Sequence, residues 1–287
     1  MKKILLIIAI TTIGIECDLN AQSIGNDYKI DEEIFTYKVK LIDEFIERFN
    51  DDKHSFIRKE IESNGNNYEL TRKKLLISLF NWENTEINTE FAKEFITQVL
   101  DPKKPNYISF TDSNWYARVT CVFQHEKKEI EIPIILHIRT YGNKGSKWMI
   151  TGILQNATIT SETPLQETDT NRKLNSSKFI PTSNYALDFL ELHRVFTDSI
   201  SPINYFDESL LETTRSKQLI WLLRQNKLTF LFAKDIRFYF YQIPEWIFEV
   251  EQIERKSKNS GWLINKLYKA NKKQKESYKA QLLQAEL

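Results

Sequence analysis

The sequence predicts an α+β fold made of two halves, each a set of helices followed by a curved antiparallel β-meander. Three observations predict it. Apolar residues recur first at three- and four-residue steps and then at two-residue steps, the periods of a helix face and of a strand face. That order occurs twice along the chain. A stretch crowded with Ser, Thr, Asn and charge, holding Pro164 and Pro181, separates the two occurrences from Gln155 to Ser183 and reads as a linker.

The elements follow in order. Ile34, Val39, Ile42, Phe45, Ile46 and Phe49 share one helix face. A second helix is predicted over about Leu70 to Trp82. A third begins after Asn88, a residue suited to capping, with Phe91, Phe95, Ile96 and Val99 on one side. Beyond Pro102 and Pro105 the period becomes two. Trp115, Ala117, Val119, Cys121 and Phe123 alternate with Tyr116, Arg118 and Thr120. Ile130, Ile132, Ile134, Leu136 and Ile138 then take one face of a second strand, opposite Glu129, Glu131, His137 and Arg139. A turn from Tyr141 to Gly145 leads to a third strand, Lys147 to Leu154. The second half predicts helices over Tyr185 to Phe196 and about Glu208 to Gln225. Its strands are Thr229 to Phe232, Ile236 to Gln242, Trp246 to Ile253 and Trp262 to Tyr268. The predicted organisation is a signal peptide over 1–21, a first α+β domain over 22–154, the linker over 155–183, a second and shorter α+β domain over 184–270, and a helical tail over 271–287.

The start of the chain predicts export. Lys2 and Lys3 precede an apolar run, Ile4 to Ile13. That is roughly the length of a signal-peptide core and short of the about 20 residues of a membrane span. Ala21 suits the last position before cleavage, which gives a mature chain starting near Gln22 in the periplasm or outside the cell. Cys17 raises lipidation, but Glu16 precedes it where a small residue is usual, so simple cleavage is favoured. No later segment approaches a membrane span. Forty basic side chains face 39 acidic ones, a net charge of +1 that cleavage leaves unchanged, and that balance argues against a nucleic-acid partner. Cys121 then remains as a lone cysteine within an alternating strand, a core residue with no partner for a disulfide.

The halves also match in letters. Trp148, Met149 and Ile150 correspond to Trp262, Leu263 and Ile264, each after a Gly/Lys/Ser/Asn turn. The run from Arg118 to Gln124 corresponds to Arg237 to Gln242 with one gap. With Phe45 to Phe49 on an opening helix and these tryptophan-bearing final strands, each half resembles the NTF2-like (cystatin-like α+β cone) superfamily. The exported tandem layout is similar to that of secreted proteins of Gram-negative bacteria. The resemblance implies a helix in the mouth of a bent sheet, often with an apolar pocket, here lined by Trp115, Phe123 and Ile134. It implies no single chemistry.

Few residues point to catalysis. A cone enzyme of isomerase or dehydratase type needs a carboxylate or histidine base inside a dry pocket beside a Tyr or acid donor. The inward rows here are nearly all apolar, while His137 and Arg139 fall on the opposite face, subject to strand phase. His54, His125 and His193 sit among polar residues. No spacing suggests a metal site, no glycine-rich loop a nucleotide and no elbow a serine nucleophile, so no catalytic residue, metal or cofactor is assigned. The distinctive surface is the second meander, with aromatics on both faces. Its outer row supplies the predicted partner-binding residues Arg237, Tyr239, Tyr241 and Glu249. The expectation is a non-enzymatic binding or assembly module that uses an apolar cone or this aromatic face, toward an unknown protein, a small apolar ligand or a second copy. The alternatives are the pocket enzyme and a purely structural cell-envelope assembly protein. The basic tail is expected to form a solvated helix.

Overall fold

The computed structural model describes residues 38–63, 70–140, 145–154, 178–183, 189, 192–197, 202–256 and 259–283. The proposed signal peptide, the turn at 141–144 and residues 155–177 of the predicted linker lie outside them.

Among the described residues four helices come first: α1 (Ile42–Asn50), α2 (Phe56–Ser63), α3 (Arg72–Ser78) and α4 (Thr89–Val99). The predicted Asn88 cap is in place, its side chain accepting from the Glu90 and Phe91 amides. Strands β1 (Trp115–His125), β2 (Lys128–Thr140) and β3 (Ser146–Ile153) form an antiparallel meander. Then follow β4 (Ile180–Pro181), α5 (Leu192–Thr197), a 3-10 turn at Pro202–Tyr205, α6 (Glu208–Leu211) and α7 (Thr214–Arg224). A second meander, β5 (Thr229–Phe240), β6 (Trp246–Ile253) and β7 (Gly261–Lys269), leads to a terminal helix α8 (Lys272–Leu283). The chain is therefore α+β.

The two meanders do not close into separate sheets. β1 pairs antiparallel with β5, and the described strands join one seven-stranded sheet in the order β4-β3-β2-β1-β5-β6-β7. β5 is one strand where the sequence reads as two. Two register shifts against β1 carry the strand on, one passing over Lys234 at the polar interruption and the other over Leu231.

The helices are distributed crosswise. α1 and α4 precede the first meander yet pack on the second. Phe45 stacks on Phe240 at 5.9 Å, Phe49 on Phe248 at 5.9 Å, and Phe95 meets Trp246 and Phe248 edge-on at 5.6 Å. Residues just before the second meander cover the first, with Phe189 edge-on to Trp148 at 5.4 Å and Phe196 to Phe123 at 5.0 Å. Single backbone bridges lock the same exchange. The Asn81 amide donates to the Ile264 carbonyl at 2.9 Å and the Ile264 amide to the Leu79 carbonyl at 2.7 Å. On the other edge the Asp207 amide donates to the Ile150 carbonyl at 2.8 Å. Phe80 and Phe206 thus form parallel bridges to Ile264 and Ile150, the residues that match between the halves in sequence.

A further bridge brings Val39 against Gly261. The Trp262 amide donates to the Val39 carbonyl at 3.0 Å, and a Cβ on Gly261 would stand 2.0 Å from that carbonyl oxygen. Gly261 also has φ +89, a conformation that L side chains avoid. Gly261→Ala is expected to lower stability by more than about 1 kcal/mol and to loosen the Val39 segment. Thermal unfolding of the variant checks this, and an unchanged midpoint would contradict it.

Candidate functional site

The two faces of the sheet are chemically unlike. The helix-covered inner face carries the alternating apolar rows, and Trp115, Phe123 and Ile134 are each fully buried there. Trp115 lies against Trp148, Phe238 and Phe240, and Phe123 against Phe196 and Phe230. The places where the resemblance implies a pocket are thus occupied by the chain's own aromatic side chains. Cys121 belongs to the same interior, and burial pushes its thiol pKa up, which keeps it protonated and unreactive.

The outer face gathers the titratable groups. At its centre Arg118 of β1 stands directly opposite Arg237 of β5, and Tyr116 opposite Tyr239. Across the β5–β6 ladder Arg237 faces Glu251 and Tyr239 faces Glu249. Arg237 approaches Glu251 at 3.7 Å and Asp235 at 3.3 Å. Burial works against its charge, but those two carboxylates outweigh it and raise its pKa. The Tyr239 pKa is raised, first by burial and then by Glu249, with the charges of Arg118 and Arg237 opposing. Glu249 accepts from the Tyr268 hydroxyl at 3.3 Å and lies 3.9 Å from the Lys266 ammonium. Its pKa is raised all the same, because burial comes first and Glu251 adds repulsion.

The structure therefore brings Arg237, Tyr239 and Glu249 together, and Tyr241 joins them through Tyr239 on the apolar side of the same face. Tyr241 belongs to a second apolar cluster with Tyr116, Ile135, Leu154, Tyr239, Ile247 and Ala270, against which Leu282 and Leu283 of α8 pack. The Lys275 ammonium donates to the Tyr241 and Ile243 carbonyls at 2.8 and 2.6 Å, and Lys279 stands 5.5 Å from the Tyr241 ring centroid. Burial, with repulsion from Lys279, pushes the Lys275 pKa down to about 8. The predicted solvated tail is thus a helix with no buried residue that still holds the sheet through lysine stems and tips.

Arg118, Glu251, Lys266 and Tyr268 complete the outer cluster and were not among the predicted site residues. A signal for Arg118 was present, since it aligns with Arg237 in the internal match. The other three required knowledge of the β5–β6 and β6–β7 registers.

His137 is on the outer face, as its phase predicts, and is not a freely solvated residue. Its ring stacks on Tyr116 at 4.5 Å and its Nε2–H donates to the Ser113 carbonyl at 2.5 Å. Beside it Arg139 pairs with Asp207, whose carboxylate also accepts from the Ser209 amide and hydroxyl. Burial works against ionisation of Asp207, but these hydrogen bonds hold its pKa below the usual value. The Arg139–Asp207 pair ties β2 to the N-terminus of α6. Among the described residues, no three His, Cys, Asp or Glu side chains assemble as a metal would require, and no helix is long and apolar enough to cross a membrane.

Burial lowers the His137 pKa below 6.5, Arg139 and Lys279 contribute in the same direction, and Ser113 and Asp207 oppose them. The unfolded chain then binds the proton more readily, so stability is lost as pH falls through about 6.5 toward the folded value. An NMR titration is expected to give a His137 midpoint below 6.5, and His137→Gln to flatten that part of the acid loss. A midpoint at or above the ordinary value would contradict the burial argument.

No protein-family model, curated protein or solved structure matches the chain.

Proposed function

We propose that the chain is an exported, non-enzymatic binding or assembly module that engages a partner protein through the outer face of its sheet, around Arg237, Tyr239 and Glu249. The observation that carries this reading is the division between the faces. Trp115, Phe123 and Ile134 have no exposed surface, whereas the charged and phenolic groups cluster on the opposite side. A pocket isomerase or dehydratase would need a base among those inner residues, and no observation favours one. Specificity in this reading comes from partly desolvated charges, which fix orientation and partner choice more than raw affinity.

We further propose that the two halves are copies of one NTF2-like unit. The pairing of Arg118 with Arg237 supports this, because residues matched in sequence meet across an antiparallel pair, as they would at the two-fold axis of a dimer. The reciprocal bridges of Phe80 to Ile264 and Phe206 to Ile150 support it too.

Cross-linking of the mature chain in the exported fraction tests the binding reading. Wild type and Lys273→Gln, altered on the exposed side of α8, are expected to give one discrete adduct. Arg237→Gln, which keeps length and polarity while removing charge, is expected to reduce its yield by about tenfold, the equivalent of 1.4 kcal/mol. An adduct insensitive to Arg237→Gln would move the interface off this face.

A further inference from the structure

We propose that Arg118 and Arg237 form a binding site for a compact oxyanion on the outer face of the sheet. The proposal rests on the outer face being the recognition surface and names the chemistry it recognises.

Side chains directly opposite on adjacent antiparallel strands have Cβ atoms about 4.5–5.5 Å apart, and like charges there are unfavourable. A folded chain normally places opposite charges at such a pair, and this one places two guanidinium groups. The two differ in compensation. Arg237 has Glu251 and Asp235 beside it. Arg118 has no carboxylate paired with it among the described residues, and its Nε makes no hydrogen bond. The Nε atoms of both arginines are buried and make no hydrogen bond, with Asp235 close to Arg237 but out of line for one. Buried donors left unmet are costly, and two of them beside a repulsive pair mark a place that a bound acceptor would stabilise.

A guanidinium group presents a planar fork of donors that fits two oxygens of one carboxylate, sulfate or phosphate. An oxyanion between the arginines would separate the two positive charges and accept from the unmet donors. Size is limited by the surroundings. Asp235, Glu249 and Glu251 lie on the β5 and β6 side with Lys266 behind them, so an extended polyanion would be repelled and a single oxyanion group would not. The shared chemistry is that of a partner's carboxylate side chain or of a free inorganic anion.

The test is thermal unfolding of the full mature chain at constant ionic strength in chloride, sulfate, phosphate or acetate. Sulfate strengthens burial generally, so the comparison between variants decides. Wild type is expected to melt several degrees higher in at least one oxyanion than in chloride. Arg118→Gln is expected to lose that difference and also to melt at or above wild type in chloride, because the repulsive pair is relieved. A merely structural Arg118 would give the opposite, a lower midpoint in chloride. Arg118→Lys keeps the charge without the fork and is expected to lose most of the oxyanion shift. A shift in acetate and with a short glutamate peptide assigns the site to a partner's carboxylate; a shift in phosphate or sulfate alone assigns it to a free anion. Equal oxyanion shifts in wild type and Arg118→Gln, or none in wild type, would overturn the proposal. If the anion shift is absent while cross-linking still depends on Arg237, the recognition face stands and the oxyanion site falls.

Discussion

The antiparallel ladder between β1 and β5 is the constraint on which the rest of the fold depends. It fuses two three-stranded meanders into one sheet, and it does so with an inner row of Trp115 opposite Phe240, Ala117 opposite Phe238 and Val119 opposite Ile236. The junction is thus as apolar and as filled as the meanders themselves. A central strand pair buried in this way leaves neither β1 nor β5 as a lone edge along their common length, the arrangement that most exposes a sheet to unwanted pairing. The same ladder sets the arginine pair on the other side, because successive side chains of a strand point to opposite faces.

The crosswise helices follow from that junction. With the meanders side by side, α1 and α4 can lie over β5 to β7, and the elements between β4 and α7 can lie over β3, β1 and β5. Each aromatic contact adds a modest specific preference of about 0.5–1.5 kcal/mol, and loss of a whole buried phenylalanine costs about 3–5 kcal/mol. The Phe45, Phe49, Phe95, Phe240 and Phe248 group therefore binds the first helices to the last strands strongly. Neither half retains a full core without the other half's helices. Among the described residues the outer face has no such layer except where α8 crosses it, and the polar groups of β1, β5, β6 and β7 lie on that face.

The secondary structure was largely legible in the sequence because its periods are clean. The β1 and β2 rows, the Asn88 cap and the Trp246 to Ile253 strand stand where the pattern puts them. Three features were not legible, each for a physical reason. The β1–β2 hairpin turns on Glu126 and Lys127, both at positive φ, where the usual signal is Asn or Gly. The β5 bulge over Lys234 carries the polar interruption through a strand that alternation alone would break. The joining of β1 to β5 and the exchange of helices are tertiary choices between apolar faces of similar character, and local pattern does not rank them. The candidate site shows the same division. Arg237, Tyr239 and Glu249 could be placed on one face by phase, but the opposition of Arg118 to Arg237 is a fact of register between strands far apart in the chain.

The central claim is that the two halves are one cooperative unit, joined at β1–β5 and cross-braced by exchanged helices. Scanning calorimetry of the chain tests it most directly, alongside the Phe45→Ala variant. The claim predicts a single transition whose calorimetric and van't Hoff enthalpies agree, with the whole transition moved to lower temperature by a substitution in the first helix. Two resolved transitions, of which Phe45→Ala moves one, would contradict it and return the halves to independent folding.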